Sequence, residues 1–259
     1  MSAFRIVVAD DHPIFRFGLS SLLESHQGWE VCAEAADGRD AVEKCRQLKP
    51  DLLILDICLP ELNGVDAARQ ILKQNPEQVI LVLTAVDSEQ VVRDCLEAGV
   101  RGWVFKSDGT QDLMAAVEAL QRHKTAFSAR VSDLIMDGYK QNREGPPAAS
   151  VPKLSPRERE VVQLVSEGKA SKEVATILNV TVATAETHRS NILRKLKLHS
   201  VAELVLYAVR NELVHVTFPN VLRFPDPGTQ RIRRRASSDY PALPKPSSVP
   251  AVVVPQSLN

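Results

Sequence analysis

The sequence lacks any long apolar run. Its 259 residues contain no stretch of about 18 consecutive apolar residues, so we expect no membrane-spanning helix. Residues 1–6 lead directly into a strand-like segment, without the basic and then apolar regions of a secretory signal peptide. These absences predict a soluble cytoplasmic protein that has no membrane partner.

Cysteine is also scarce. The chain has four cysteines, and no two of them are spaced as a CxxC pair or accompanied by an obvious histidine partner. This spacing argues against a zinc site and against a dithiol redox motif. In a reducing cytosol such cysteines are expected to be free thiols of the core. They are Cys32, Cys45, Cys58 and Cys95.

The net charge of the whole chain is zero, but the charged residues are unevenly distributed. Residues 1–124 contain 13 Lys and Arg against 20 Asp and Glu, which gives a net charge of −7. Residues 151–216 carry a net charge of +3, and residues 217–259 carry +4. An acidic first half and a basic second half indicate different partners, with a polyanion as the candidate partner of the second half.

The first half alternates between two periodicities. Five short apolar runs, each typical of a strand, are separated by segments whose apolar residues recur at helical spacing. Because these runs have no polar alternation, both faces of the sheet are expected to be covered. Residues 1–124 therefore predict an α/β domain with a doubly wound, five-stranded parallel sheet. The predicted strands are residues 4–9, 29–33, 52–55, 79–83 and 103–105.

The second half has helical patterns only. Residues 125–150 are predicted to be a linker that begins as a helical extension over residues 126–139. Residues 151–216 are predicted to form a small all-α domain of four helices. Residues 217–259, rich in Pro and Ser with a basic cluster at 233–235, are predicted to be a disordered tail. The predicted N-caps of the four helices are Ser155, Ser171, Thr181 and Ser200.

Polar side chains follow four of the predicted strands. Asp10 and Asp11 end the first strand, Asp56 the third, Thr84 the fourth and Lys106 the fifth. Ligands of parallel α/β sheets bind beyond the carboxyl ends of the strands, so we expect these residues to meet. Three carboxylates at one edge need a cation, and oxygen ligands suit Mg²⁺. A hydroxyl and an ammonium group beside them suit the oxygens of a phosphoryl group on a carboxylate.

These residues occur within recognisable motifs. Residues 8–13 (VADDHP), 55–64 (LDICLPELNG), 83–85 (LTA) and 104–106 (VFK) resemble those of a receiver domain, and the resemblance extends over residues 4–123. It implies a flavodoxin-like fold in which Asp56 is the phosphoacceptor. It further implies that Asp11, Asp56 and the Cys58 carbonyl ligate Mg²⁺, with Asp10 acting through water, and that Thr84 and Lys106 bind phosphoryl oxygens. One departure is Trp103, which stands where many receivers have a switch tyrosine.

The segment 182–197 is predicted to be an amphipathic helix. Its apolar residues define an inner face, and its outer face carries hydrogen-bonding and basic side chains. This pattern, after a short capped helix, is typical of a DNA recognition helix. The candidate DNA contacts on or near it are Lys172, Thr187, Ser190, Asn191, Arg194 and Lys195.

Residues 154–161, 167–175 and 187–196 resemble the LuxR-type helix-turn-helix. With a receiver in front, residues 1–216 resemble the NarL/FixJ subfamily of response regulators. The resemblance implies a histidine kinase as phosphoryl donor, DNA as partner and a homodimer when phosphorylated. Glu186 departs from the family, since many members have Lys there, and a carboxylate opposes attraction to phosphates.

Two alternatives remain open from the residues alone. A haloacid-dehalogenase-type phosphatase also uses Asp, Thr, Lys and Mg²⁺, but it needs a second Asp where this chain has Cys58. No P-loop is present either, so an enzyme is not expected. The other alternative, motivated by Glu186, is a regulator that acts through protein contacts without binding DNA.

Overall fold

The computed structural model describes residues 3–128, 131–133 and 154–214. These residues belong to one compact unit, residues 1–217. The predictions for most of the linker and for the whole tail therefore lie outside the described residues. Within the described part, no helix is both long and apolar enough to cross a membrane.

The first domain contains a parallel sheet of six strands in the order β2-β1-β3-β4-β5-β6. The order reverses direction at β1, where β2 lies on one side and β3 on the other. Such a switch point opens a crevice at the carboxyl ends of the strands. The strands are β1 Phe4–Ala9, β2 Trp29–Ala35, β3 Leu52–Leu55, β4 Val79–Thr84, β5 Gly102–Phe105 and β6 Ala126–Phe127.

Helices cover both faces of this sheet, and a second group of helices follows it. The apolar faces of α1 and α5 pack on one side of the sheet, whereas those of α2, α3 and α4 pack on the other. This confirms the predicted doubly wound α/β class. The helices are α1 Pro13–Glu24, α2 Gly38–Leu48, α3 Gly64–Gln74, α4 Glu89–Ala98, α5 Thr110–Gln121, α6 Pro156–Ser166, α7 Ser171–Ile177, α8 Val182–Leu196 and α9 Val201–Arg210.

The uninterrupted apolar strands are explained by the two cores. Along β1, Ile6 and Val8 point into the α1/α5 core, whereas Val7 and Ala9 point into the α2/α3/α4 core. Successive side chains of a strand alternate between faces, so every position of β1 from Ile6 onward meets an apolar layer.

The strand count differs from the prediction. Residues 126 and 127, which we predicted to begin a helical extension, form β6 and pair with Gly102 and Trp103 of β5. A two-residue strand is too short to show a period of two, so its apolar residues resemble the start of a helix. Residues 131–133 are helical, and residues 134–139 of the predicted extension lie outside the described residues.

The four helices of the second domain enclose a core of their own, which includes Leu164, Val174, Ile192 and Leu204. This confirms the predicted small helical domain. Ser155 caps α6 in a reciprocal capping box with Glu158.

One predicted cap is wrong. Ser171 is the first residue of α7 rather than its cap, and Ala170 occupies the cap position. The Ser171 hydroxyl accepts a hydrogen bond from Arg189 of α8 at 3.4 Å, so a tertiary contact uses the group that the cap would need. Ser200 caps α9 as predicted by accepting from the amide of Glu203, and the Glu203 carboxylate accepts from the amide of His199.

Candidate functional site

The carboxyl ends of β1 and β3 bring the predicted acidic residues together. One ligand atom from each of Asp10, Asp11, His12 and Asp56 lies within 4.8 Å of the others. β1 and β3 are neighbours in the sheet, so residues 46 apart in the sequence meet at one edge. His12 was not among the predicted site residues. Its position directly after the acidic pair was the available signal.

Lys106, which follows β5, reaches into this cluster. Its Nζ lies 2.7 Å from Oδ2 of Asp10 and 2.6 Å from Oδ2 of Asp56, and 4.6 Å from the centre of the Phe15 ring. Burial by itself lowers the pKa of Lys106, but Asp56 and Asp10 outweigh it, so the pKa is raised. The lysine is therefore a fixed positive charge, and Phe15 completes its surroundings.

Asp56 is held by the loop that follows it. Its Oδ1 accepts from the amides of Ile57 at 2.6 Å and Cys58 at 3.3 Å, and the residue is 2% exposed. Gly64, at the start of α3, closes this loop by donating its amide to the Ile57 carbonyl at 2.9 Å. A Cβ at Gly64 would lie 2.2 Å from the Asp56 carbonyl oxygen, so the close approach requires glycine.

Asp11 places a buried carboxylate oxygen in the acidic cluster. Burial raises the pKa of Asp11, His12 opposes this, and the negative charges of Asp56 and Asp10 add to it. The buried Oδ1 lies 2.7 Å from Nδ1 of His12 and makes no hydrogen bond to the described residues. Carboxylates this close together repel one another, and a divalent cation relieves that repulsion, so the acidic cluster fits a metal.

Thr84 and Cys58 complete the cluster. Thr84 is fully buried at the end of β4, and its hydroxyl oxygen accepts from the amide of Val86 at 3.3 Å. Burial together with the charge of Asp56 raises the pKa of the Cys58 thiol to about 12.

Trp103 is buried on β5. It is 1% exposed, packs edge-on against Phe105 with ring centres 6.1 Å apart, and its Nε1 has no hydrogen-bond partner among the described residues. The buried position of the indole leaves its Nε1–H donor without a hydrogen bond to the described residues, which costs folding free energy.

The predicted DNA-reading face of α8 is open to solvent. Ala185 and Ile192 are buried in the helical core, as the inner face requires. All six candidate DNA contacts are exposed, and Glu186 is exposed beside them: Lys172, Thr187, Ser190, Asn191, Arg194 and Lys195.

Several of these side chains already have partners. Arg194 donates to Oδ1 of Asn191 at 2.9 Å, and Thr187 donates to the Ala183 carbonyl at 2.8 Å. Lys195 lies 2.7 Å from Oε2 of Glu158. Lys195 must therefore compete with a carboxylate before it can contact phosphate, which the sequence did not indicate.

α9 has both buried and exposed apolar residues. Leu204 and Ala208 are fully buried in the core of their own domain. Leu206 is 55% exposed, and Val201 is exposed at the start of the helix.

The two domains meet through α6 rather than α8. Arg159 forms an ion pair with the buried carboxylate of Asp66 at 2.6 Å, and Arg39 pairs with Glu160 at 2.7 Å. Gln163 accepts from the amide of Asn63 at 2.8 Å. The sequence does not reveal this interface, because nothing in the helical period of α6 distinguishes a polar residue that faces solvent from one that faces another domain.

Each of the two domains matches a known family model. Residues 6–118 match the family model described as response regulator receiver domain, and residues 152–208 match the model of bacterial regulatory proteins, luxR family. The response regulator protein VraR of Staphylococcus aureus is 32% identical over 210 residues, which cover 81% of this chain and 98% of VraR.

Solved structures of response regulators are also similar to this chain. RcsB from Salmonella enterica serovar Typhimurium, bound to promoter rprA in the presence of phosphomimetic BeF3-, is 27% identical with a TM-score of 0.51, covering 80% of this chain and 98% of RcsB. A LuxR-family two-component response regulator from Aurantimonas is 34% identical with a TM-score of 0.51, covering 54% of this chain and 99% of that one.

Proposed function

Because the chain belongs to the NarL/FixJ-type response regulators, we propose that phosphorylation of Asp56 by a histidine kinase controls its sequence-specific binding to DNA, and thereby transcription. The observation that carries this proposal is the meeting of Asp10, Asp11, Asp56 and Lys106 at one sheet edge, in a chain that also presents α8 to solvent. The protein acts in the bacterial cytoplasm, where its DNA lies, as a regulator and not as an enzyme.

The proposed organisation follows the family. Residues 1–124 are the receiver domain, residues 125–150 the linker, residues 151–216 the DNA-binding domain and residues 217–259 a tail. The matched residues 6–118 and 152–208 lie inside the two domains and support this division.

Phosphorylation is the transfer of a phosphoryl group from a phosphohistidine of the kinase. A carboxylate oxygen of Asp56 attacks phosphorus, the P–N bond breaks, and the imidazole nitrogen recovers its electron pair and takes up a proton. Lys106 is already within 2.6 Å of Asp56, so its ammonium group can follow the negative charge onto the phosphoryl oxygens. The Thr84 hydroxyl accepts from the Val86 amide, which leaves its own O–H to donate to a phosphoryl oxygen.

The acidic cluster is the proposed Mg²⁺ site. Asp10, Asp11, Asp56 and the carbonyl of Cys58 would hold the ion, which, when bound, supplies positive charge to the transferred phosphoryl group. The closeness of the Asp10, Asp11 and Asp56 carboxylates supports this assignment.

DNA recognition is assigned to α8. We infer that Thr187, Ser190 and Asn191 reach base edges, since hydroxyl and amide groups can hydrogen-bond there, whereas the cationic Lys172, Arg194 and Lys195 contact phosphates. The relative RcsB is bound to a promoter in the presence of a phosphomimetic, which supports the same link between phosphorylation and DNA. Phosphorylation is proposed to favour a homodimer, as two half-sites require.

A selection from random duplexes tests this proposal. The full chain, with and without acetyl phosphate and Mg²⁺, is incubated with the pool, and the bound duplexes are sequenced. We expect one enriched sequence, with stronger enrichment after phosphorylation. Enrichment of no sequence in either state would transfer the assignment to the alternative, a regulator that works through protein contacts.

A further inference from the structure

An arginine outside the acidic cluster holds the main chain between its two adjacent aspartates. Arg16 lies in the first turn of α1, and its Nη1 donates to the carbonyl oxygen of Asp10 at 2.6 Å. That carbonyl belongs to the peptide bond that joins Asp10 to Asp11, so its direction fixes the plane of this peptide. Arg16 therefore orients the link between two of the proposed Mg²⁺ ligands through the main chain.

The same guanidinium is fixed from β2 by Glu34. Nε of Arg16 donates to Oε2 of Glu34 at 3.1 Å, and the two side chains form an ion pair. Oε1 of Glu34 accepts from the hydroxyl of Ser20 at 2.6 Å. Ser20 is buried and lies one helical turn after Arg16, on the same face of α1. Because both oxygens of Glu34 are held by this face, the guanidinium has a defined orientation.

The parallel register places Glu34 beside the end of β1. Glu34 is the register partner of Val8, and the amide of Asp10 donates to the carbonyl of Ala35 at 3.1 Å. The main chain of Asp10 is thus held at its amide by β2 and at its carbonyl by α1. Neither of these two groups belongs to the acidic cluster, so the position of Asp10 is set from outside the cluster.

We propose that Arg16 and Glu34 are positioning residues for the Mg²⁺ site: the guanidinium, fixed by Glu34, holds the Asp10–Asp11 peptide in the orientation that brings both carboxylates to one ion. This proposal rests on the proposed function, because it takes Asp10 and Asp11 as Mg²⁺ ligands. Groups that orient metal ligands without touching the metal typically contribute about 10- to 100-fold to metal affinity.

Position and charge predict opposite effects for Arg16. A positive charge beside a cation site repels the cation, so the loss of the Arg16 charge by itself would strengthen Mg²⁺ binding. The loss of its hydrogen bond to the Asp10 carbonyl would instead free the peptide and weaken Mg²⁺ binding. The planar guanidinium also donates from two nitrogens to two acceptors, a geometry that the ammonium group of a lysine does not reproduce.

A Mg²⁺ titration of the full chain, followed by intrinsic tryptophan fluorescence, tests the proposal. Urea denaturation without Mg²⁺ measures the stability of each variant separately. In Arg16→Met we expect Mg²⁺ affinity to fall by about 10-fold or more. Arg16→Lys keeps the charge but loses the two-nitrogen geometry, so it should also bind Mg²⁺ more weakly than the wild type.

Two variants of Glu34 separate position from charge in a second way. Glu34→Gln and Glu34→Ala remove the same charge, but only glutamine retains an oxygen that can accept from Nε of Arg16. Mg²⁺ affinity should therefore stay close to that of the wild type in Glu34→Gln and fall in Glu34→Ala.

Arg5→Met is the matched control. Nη1 of Arg5 donates to the carbonyl of Leu48 at 2.7 Å, which is the same kind of bond at the opposite end of β1. This variant should lose stability in urea, as Arg16→Met should, but its Mg²⁺ affinity should equal that of the wild type.

The outcomes are distinct. Mg²⁺ affinity in folded Arg16→Met that equals or exceeds the wild-type affinity overturns this proposal and leaves the proposed function intact. If Arg16→Met does not fold, equal Mg²⁺ affinities in Glu34→Gln and Glu34→Ala overturn it. A wild-type chain that binds no Mg²⁺ overturns the proposed Mg²⁺ site, and this inference with it.

Discussion

In the receiver domain, the side chains of the acidic cluster come from the ends of β1, β3, β4 and β5, and Asp10, Asp56 and Thr84 are buried. In the DNA-binding domain, all but one of the candidate contacts come from the single helix α8, and they are exposed. The first site exists only while the whole sheet is folded, whereas the second needs one helix on a small core. Substitutions should therefore damage the first site abruptly and the second gradually.

The largest expected effect is the loss of phosphorylation in Asp56→Asn. An amide oxygen cannot form the acyl phosphate, so acetyl phosphate with Mg²⁺ should add one base-labile phosphoryl group to the wild type and none to the variant. Mass spectrometry of the intact protein measures this. Asp51→Asn is the control, because its carboxylate accepts from the amide of Arg5 outside the cluster. Labelling that persists in Asp56→Asn would contradict the assignment.

Replacing Gly64 by alanine should destabilise the protein, because the backbone of Asp56 lies close to Gly64. Its new Cβ would meet the Asp56 carbonyl at 2.2 Å, so overpacking should cost about 1–3 kcal/mol in the free energy of unfolding. Gly18→Ala is the control with the opposite sign: no atom lies within 4 Å of its Cβ inside α1, and alanine should stabilise the helix by about 0.5–1 kcal/mol. Urea denaturation measures both, and equal changes in the two variants would refute the comparison.

Metal affinity should fall when Asp11 is replaced by alanine. The variant removes one carboxylate of the acidic cluster, so we expect Mg²⁺ affinity to decrease by about 10- to 100-fold or more. A Mg²⁺ titration followed by intrinsic tryptophan fluorescence measures the change. An unchanged titration curve in Asp11→Ala would show that the ion binds elsewhere.

On α8, single substitutions should produce graded effects. Arg194→Ala removes a phosphate contact, so affinity should fall for all duplexes and the slope of log affinity against log salt should shrink by about 0.9. Lys195→Ala should have a smaller effect, because Lys195 is already paired with Glu158. Ser190→Ala should instead change the preferred sequence, if its hydroxyl reaches a base edge. Fluorescence anisotropy on random and selected duplexes at two salt concentrations separates these effects.

The smallest effect should come from removing the receiver. Steric masking and charge repulsion by the receiver would each make its removal raise affinity, and the exposed face of α8 favours repulsion by the acidic receiver. The isolated segment 151–216, which has its own core, should bind duplexes a few fold more tightly at low salt. This gain should vanish near 1 M salt, where the Debye length is about 3 Å. A gain that persists at high salt would indicate masking, and no salt-dependent binding by the segment would contradict DNA binding.

Local patterns in the sequence were sufficient for much of the fold. The boundaries of β1 and β3 agree with their apolar runs, and the caps Ser155 and Thr181 act as their side-chain chemistry predicts. These features depend on residues a few positions apart, so a single sequence contains the information. Strand ends also predicted that Asp10, Asp56 and Lys106 would meet, since a parallel sheet brings successive carboxyl ends to one edge.

Other features were decided by packing between distant segments. Residues 126 and 127 form β6 because they pair with β5. Ser171 is not a cap, and its hydroxyl accepts a hydrogen bond from Arg189 of α8 instead. The pairing of Gln163 with Asn63 joins positions 100 apart, and neither residue carries a local mark of it. The sequence by itself determined most of the secondary structure and the chemical class of both sites, because those follow from residues close together in the chain. Only the tertiary structure decided which polar groups of α6 contact residues 59–63, because that depends on how two separately folded surfaces fit together.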